Sequence, residues 1–337
     1  MQGDSTMIAT HAGAPQCRRS ADALASSMEL LAKVLSMNQR LSPGTSLLLV
    51  IPPLLWAGNA VVGRVVSDLV PPMTLNFLRW ALAFLILLPL AHGVLHRTGA
   101  LAVWPHWRRF ALLGLLGVGC YNALQYLALQ TSSPLNVTLV AASSPVFMLG
   151  VGALFFGQRI SSRQALGAVL SIVGVLVVLS RGEPALLAQV RLVPGDVYVL
   201  IATLAWAFYS WLLARPDDSP EIRGNWAAFL MAQIVFGLVW SGLFAGGEWA
   251  LADARIVWGW PLAAALAYVA VGPAVLAYRC WATGVQRVGP NIAGFFANLT
   301  PLFAALLSAA FLGELPQSYH ALAFGLIVGG IVVSSRR

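Results

Sequence analysis

Charge is what this chain has least of. Only 9% of its 337 residues are Asp, Glu, Lys or Arg, while 59% are hydrophobic and mean hydropathy is +0.79. A water-soluble domain carries a charged shell of roughly a quarter of its residues, so this chain cannot wet the outside of a globule of its length. Cysteine is scarce too. Cys17, Cys120 and Cys280 are odd in number, far apart and without a CxxC pair, which leaves neither a disulfide framework nor a thiolate metal site. Acidic residues number 12 against 20 basic ones, and all of them fall in loops, tails or span ends. Catalytic signatures are missing as well: the chain has no HExxH, no GxxxxGK[ST] and no GxSxG. A zinc peptidase, an ATP-driven pump within this chain and a nucleophile-elbow hydrolase drop out together.

What is there is a succession of continuous apolar runs. Runs of about 17–25 residues fit helices crossing a hydrocarbon core roughly 30 Å thick. Strands of a lipid-facing barrel would be about ten residues long and would alternate apolar with polar positions. The expected spans lie near 46–66, 73–95, 110–130, 135–156 and 164–180, then near 197–214, 226–246, 259–282, 291–312 and 319–335. The fold class expected is therefore an all-α integral membrane protein with ten transmembrane helices. Residues 1–44 are polar and uneven and are expected to form a disordered cytoplasmic tail, with Met37 as an alternative start. A linker rich in Pro, Gly and charge, residues 182–195, divides spans one to five (45–181) from six to ten (196–337).

The net charge of +8 is spread one to three residues at a time between the apolar runs. That is how topology signals look, and no nucleic-acid motif accompanies them. With the N-terminus in the cytoplasm, Arg97, Arg108, Arg109, Arg159, Arg163, Arg215, Arg223 and Arg287 fall inside, against Arg181, Arg191 and Arg255 outside. The expectation is a multi-pass protein of the plasma (inner) membrane with both termini cytoplasmic. Its partners are the lipid bilayer and a small-molecule substrate, with no nucleic acid, no cofactor and no metal; monomer and homodimer both remain open.

An internal repeat is visible at a constant offset of 156 residues. Gln130 falls on Gln286, Pro134 on Pro290, Pro145 on Pro301, Phe147 on Phe303, Gly157 on Gly313 and Gly174 on Gly330. Matched prolines and glycines at one offset are harder to obtain by chance than matched apolar residues. Five spans per half is an odd number, so the second half enters the membrane with opposite polarity. Inverted repeats of this kind are a recurring plan of secondary transporters.

The residues that carry a family resemblance are spread along residues 45–335. In the first half they are Trp56-Ala57-Gly58-Asn59, Pro72, Arg79-Trp80, Ala128-Leu129, Ser144-Pro145-Val146-Phe147, Phe156-Gly157 and Gly167 to Gly174. In the second half they are Gly195-Asp196, Ala205-Trp206-Ala207, Val288-Gly289, Leu299-Thr300-Pro301-Leu302-Phe303 and Leu312-Gly313-Glu314. In order and spacing the chain resembles the EamA-type transporters of the drug/metabolite transporter superfamily. The resemblance implies ten helices in two five-helix repeats and export of small metabolites, often amino acids, or of drugs. One departure stands out: the family's Gly-Glu after the fourth span is Gly157-Gln158 here.

Candidate site residues follow from polar and aromatic faces within spans. Tyr121, Asn122, Gln125 and Tyr126 share one face of the third span. Trp56 and Asn59 lie in the first, Ser144 in the fourth, Trp206 and Tyr209 in the sixth, Tyr278 in the eighth, and Asn291 and Asn298 in the ninth. Amides and hydroxyls beside aromatic rings suit a central cavity that hydrogen-bonds a polar solute and stacks its apolar part; the same residue types also serve as glue between packed spans. Arg79 is set to snorkel to the outer interface, pair with Asp68 or hold an anionic substrate group. Arg64 is set to pair with Asp68 one turn on, and Arg279 to snorkel. Pro145 and Pro301, inside the fourth and ninth spans, are candidate hinges for alternating access. Gly325 and Gly329 form a small-residue face expected to pack closely in the last span. With no carboxylate at mid-depth, facilitated diffusion or exchange is favoured over proton antiport. His92 and His96 at a span end read as interfacial rather than metal-binding. The second reading, from a different class, is a flippase for a lipid-linked substrate or a membrane-embedded enzyme.

Overall fold

Backbone polar groups find no water in a hydrocarbon core, so a chain of this composition must satisfy them within helices. A computed structural model describes residues 41–98, 103–132, 137, 140–189, 193–217, 220–312 and 317–336. Among these no strand occurs. The helices, in chain order, are α1 (Pro43–Val65), α2 (Pro72–Thr98), α3 (Trp104–Thr131), α4 (Ser144–Phe155), α5 (Ser162–Leu179) and α6 (Pro194–Ala214). They continue with α7 (Trp226–Leu251), α8 (Trp260–Val288), α9 (Pro290–Ala297), α10 (Leu299–Leu312) and α11 (Ser318–Ser335). Eight helices among the described residues are long and apolar enough to cross a membrane; α4 is a shorter apolar helix. Most of the 1–44 tail lies outside the described residues, as do the Arg64 and His96 side chains.

The outside of this bundle is built for lipid. Leu154, Leu251 and Trp260 are 80%, 90% and 81% exposed, an arrangement that water would penalise. Trp104 and Trp107 are exposed at the start of α3, and Trp249, Trp258 and Trp260 around the α7–α8 turn. Tryptophan at helix ends suits the headgroup level, where its apolar body and N–H are both accommodated.

Helix termini leave four N–H and four C=O groups unmatched, and at two of them neighbouring helices supply partners. The α2 N-terminus begins at Pro72, whose missing N–H is no loss there. The next two amides, of Met73 and Thr74, donate to the Glu248 carboxylate of α7 at 3.0 and 2.8 Å. The Thr74 hydroxyl donates to it as well, and Trp249 Nε1 donates to that hydroxyl. At the other end of the bundle, Arg109 Nη2 donates to the Leu212 carbonyl and Arg223 Nη2 to the Leu213 carbonyl, both at the C-terminus of α6. Cations at carbonyl ends and an anion at an amide end both oppose the helix dipole. Gly157, at φ +64°, ends α4 in the left-handed region that favours glycine, and Gln158 after it is exposed.

Two pairs of contacts repeat at the sequence offset. α5 lies along α11 so closely that a β-carbon added at Gly330 would stand 2.6 Å from the Gly167 carbonyl oxygen. One added at Gly174, which is Gly330 minus 156, would stand 2.9 Å from the Ala323 carbonyl, which is Gly167 plus 156. Lipid offers apolar side chains no less than a neighbouring helix does, so backbone approach of this kind, not apolar burial, holds such helices together. Wide π-helical turns also recur: Gly114–Cys120 within α3 and Ala270–Leu276 within α8 are 156 residues apart at both ends. Pro273 lacks the N–H that a regular turn needs, which accounts for the second of them.

Three expectations need correction. The fourth and ninth spans are not continuous helices with prolines inside them. The chain turns at Ala142-Ser143 before α4 and at Asn298 between α9 and α10. Pro145 and Pro301 therefore sit in the first turns of α4 and α10, where a missing N–H breaks no bond; the bends lie just before them. Gly325 and Gly329 have nothing within 4 Å of an added β-carbon, so they do not form the close seam; Gly330, Gly167 and Gly174 do. The reason is register: the face of α11 that meets α5 carries Ala323, Ile327, Gly330 and Ser334.

Two stability measurements follow. Gly330→Leu forces α5 and α11 apart and is expected to cost about 3 kcal/mol or more by overpacking, read as a lower melting temperature in detergent, whereas Gly325→Leu should leave it unchanged. Glu248→Ala removes the acceptor at the α2 N-terminus and is expected to cost about 1–2 kcal/mol, with Glu248→Gln intermediate.

Candidate functional site

Aromatic side chains from five helices meet at the centre. Trp206 of α6 is the hub: its ring lies 5.2 Å from that of Trp56 (α1), 4.5 Å from Tyr121 (α3), 5.3 Å from Trp281 (α8) and 5.4 Å from Tyr278 (α8). Trp80 of α2 meets Tyr278 edge-on at 4.8 Å, and Tyr209 lies 4.9 Å from Trp206. Trp80, Trp206, Tyr209, Tyr278 and Trp281 are all at most 1% exposed. The polar tips of Trp281, Tyr209 and Tyr278 are spent on helix-to-helix bonds. Trp281 Nε1 donates to Ser210 Oγ, and the Tyr209 hydroxyl donates to Gln233 Oε1. The Tyr278 hydroxyl donates to the Gly117 carbonyl at 2.5 Å and accepts from Asn122 Nδ2 at 3.1 Å. Gly117 lies in the first π-helical turn, whose next carbonyl, Val118, accepts from Asn76 Nδ2. Wide turns of that kind are frequent at functional sites.

A cavity of about 100 Å³ opens on one side of this cluster, lined by Trp56, Tyr121, Gln125, Val137, Ala141, Ala142, Ser144, Thr203, Trp206, Ala297, Asn298, Thr300 and Pro301. Both halves of the chain contribute, and the two chain breaks at Ala142 and Asn298 form part of its wall. Asn298 is 2% exposed, and its amide nitrogen donates to the Ala142 carbonyl at 3.3 Å and to Ser171 Oγ at 2.9 Å. A smaller hollow of about 30 Å³ lies on the other side, bordered by Tyr209, Tyr278, Phe229, Gln233, Trp226 and Arg279, among others. Trp206 borders the first space, Tyr209 and Tyr278 the second, and their rings touch. A layer of aromatic rings thus separates the two.

Arg79 stands beside that layer and is fully buried, at 0% exposed. Its Nη1 donates to the Tyr126 hydroxyl at 3.1 Å and to Asn59 Oδ1 at 3.4 Å, and Tyr126 in turn donates to Asn59 at 2.8 Å. Nε and Nη2 have no partner. The guanidinium carbon lies 5.1 Å from the Trp80 ring centre. It forms no ion pair with the exposed Asp68; one ion pair among the described residues is Arg109–Asp217. The expected snorkelling does not occur, because Asn59 and Tyr126 hold the guanidinium inside the bundle. Each N–H of a buried cation left without an acceptor costs about 1–3 kcal/mol or more, so the arrangement is unfavourable for the empty protein.

The site can be set beside known proteins. The model of the EamA-like transporter family matches residues 44–180 and again 193–336. This chain belongs to the EamA-like transporter family. Relatives agree with that membership. A transporter of uncharacterised cargo from Archaeoglobus fulgidus is 25% identical over 87% of this chain and 98% of its own length. The aromatic amino acid exporter YddG of Ancylobacter novellus is 26% identical over 84% and 93%, and the uncharacterised transporter YyaM of Bacillus subtilis 25% over 67% and 72%. A crystal structure of 22% identity superposes on 86% of this chain and 96% of that one with a TM-score of 0.65, which shows the fold alone. The chain is a multi-pass membrane transporter of this family.

For this EamA-like chain, the structure brings Trp56, Tyr121, Gln125, Ser144, Trp206 and Asn298 to one cavity. Asn59 and Arg79 do not line it and are bonded to each other and to Tyr126. Asn122, Tyr209 and Tyr278 are tied up in helix contacts and do not line it; Tyr209 and Tyr278 face the smaller hollow. Asn291 does not border either space, and its Oδ1 is buried without a partner. Thr203 and the turn at Ala142-Ser143 were not legible in advance, because single small residues in an apolar run give no signal. Arg279 is exposed and lies over the Trp226 ring at 4.3 Å, and His92 is exposed as expected of an interfacial residue.

Asn122 and Tyr278 occupy equivalent positions 156 apart. A double-mutant cycle of Asn122→Ala and Tyr278→Phe, read by thermal or denaturant unfolding, is expected to give a coupling of about 0.6–1.7 kcal/mol. Additive losses would mean that the two side chains do not meet.

Proposed function

We propose that this EamA-like chain exports small metabolites, amino acids or related compounds, across the inner membrane by alternating access around the central cavity. Its ten spans form two inverted five-helix repeats, 45–181 and 196–337, joined by the 182–195 linker. Both termini, with the 1–44 tail, lie in the cytoplasm. One observation carries this reading: residues 156 apart meet each other. Asn122 bonds Tyr278, and Asn298 bonds the Ala142 carbonyl. A residue touches its own counterpart only near a two-fold axis, and an odd number of spans per half turns that axis into the membrane plane. The cavity, shared by both halves, then lies where such an axis would run. The aromatic layer beside it separates spaces on two sides, as a closed gate does. The likeness to an aromatic amino acid exporter agrees with a cavity walled by Trp56, Tyr121 and Trp206. The bends at Ala142-Ser143 and Asn298, with Pro145 and Pro301 fixing the next turn, are the hinges.

The test is counterflow in vesicles holding the purified protein, with a labelled panel of amino acids and related metabolites. Saturable exchange of one class is expected. Trp206→Ala removes the hub ring and is expected to lower exchange about tenfold or more, roughly 1.4 kcal/mol of lost interaction or greater. Asn298→Ala is expected to lower it similarly. Flux that persists unchanged in both variants would move the pathway away from this cavity.

A further inference from the structure

The donors around Arg79 outnumber the acceptors. Nε and Nη2 of the guanidinium are the two N–H groups of its side-on edge, parallel and spaced to grip both oxygens of one carboxylate. They are unmatched, whereas Nη1 is held by Asn59 and Tyr126. The indole N–H groups of Trp56, Trp80 and Trp206 are buried and unmatched too. On the acceptor side, Asn76 Oδ1, one turn earlier on α2, is unmatched. Arg79 lies against the Trp80 ring, Trp80 meets Tyr278, and Tyr278 touches the Trp206 ring that walls the cavity together with half-buried Tyr121. Asp196 is the buried carboxylate among the described residues, and it is engaged by Ser132 and the Val193 amide at the start of α6. Among the described residues, nothing acidic lines the cavity. An ionisable residue within a membrane span that lacks a protein partner marks a functional site.

We propose that Arg79 is the anchor for the carboxylate of the cargo, gripped through Nε and Nη2 at the Trp80 edge of the aromatic layer, and that the cargo class is aromatic carboxylic acids whether or not they carry an amino group. The proposal deepens the transporter reading and rests on it. Asn59 and Tyr126 aim the guanidinium edge by holding its far nitrogen. Trp56, Tyr121 and Trp206 take the apolar part of the solute. The site supplies a fixed cation for an acid and no fixed anion for an ammonium group, so the carboxylate is required and the amine is not. The aromatic layer shifts on binding, since Arg79 is fully buried and borders neither space in the empty protein.

The experiment uses purified wild-type protein, Arg79→Gln and Arg79→Lys, with thermal unfolding followed against L-phenylalanine, 3-phenylpropionate, phenethylamine and phenylalanine amide. Both acids are expected to raise the wild-type melting temperature, and the amine and the amide to leave it unchanged. Arg79→Gln removes an uncompensated buried charge, so its unliganded melting temperature is expected to equal or exceed that of wild type while the response to acids is lost. A purely structural arginine would give the opposite pattern, a lower melting temperature with the response kept. Arg79→Lys, which keeps the charge and lacks the planar fork, is expected to bind the acids about tenfold more weakly; binding as tight as wild type overturns the proposal even if Arg79→Gln does not fold. A folded wild-type protein that responds to none of the four, or equally to amine and acid, also overturns it. The same proteins in counterflow separate the two readings. Exchange of an amine or neutral solute that Arg79→Gln leaves intact removes the anchor and keeps the transporter. No exchange of any solute, with acids still raising the melting temperature, removes the transporter and keeps the anchor.

Discussion

In hydrocarbon a polar group has no solvent to fall back on, and every N–H and C=O of this chain must find its partner within the chain. The helices follow from that, and so do the contacts between them. Glu248 of α7 receives the first amides of α2, and Arg109 and Arg223 receive the last carbonyls of α6. Such bonds tie together helices that apolar burial alone cannot, because lipid is as apolar as the neighbouring helix. Where no bond is made, the backbones approach instead, as at Gly330 and Gly167.

Against that background the unmatched groups stand out. Two nitrogens of Arg79 and the indole N–H groups of Trp56, Trp80 and Trp206 are left without acceptors, all within the aromatic centre or beside it. The same centre holds the close ring contacts, the wide turn of α3 and the wall of the larger cavity. Rigid rings, a locally widened helix and donors kept free are what a site for a solute needs. A site serving only to glue helices together would use those donors up, as Tyr278 and Asn122 do.

The two halves of the chain are related at every level where both can be seen. Equal offsets between prolines and glycines in the sequence become equal offsets between π-helical turns and between glycine seams in the structure. Pairs such as Asn122 with Tyr278 bear different side chains at equivalent positions.

Membrane class, helical character and the 156-residue repeat were legible without coordinates, because composition, run length and the spacing of Pro and Gly are properties of the chain itself. The cavity was legible in part: Trp56, Tyr121, Gln125, Ser144, Trp206 and Asn298 declare themselves as polar or aromatic residues within apolar runs. Three things were decided only by tertiary structure. Pro145 and Pro301 proved to start helices rather than bend them, because a turn just before each depends on contacts between α4, α5 and the α9–α10 break. The close seam fell on Gly330 instead of Gly325 and Gly329, since the face a helix shows its neighbour is set by how the two dock. Arg79 was visible as a buried charge, but whether it reached the interface, found Asp68 or stayed unpaired rested on the positions of Asn59 and Tyr126 on other helices. Sequence fixes which groups a span carries into the membrane; only the docked bundle fixes which of them are left without a partner.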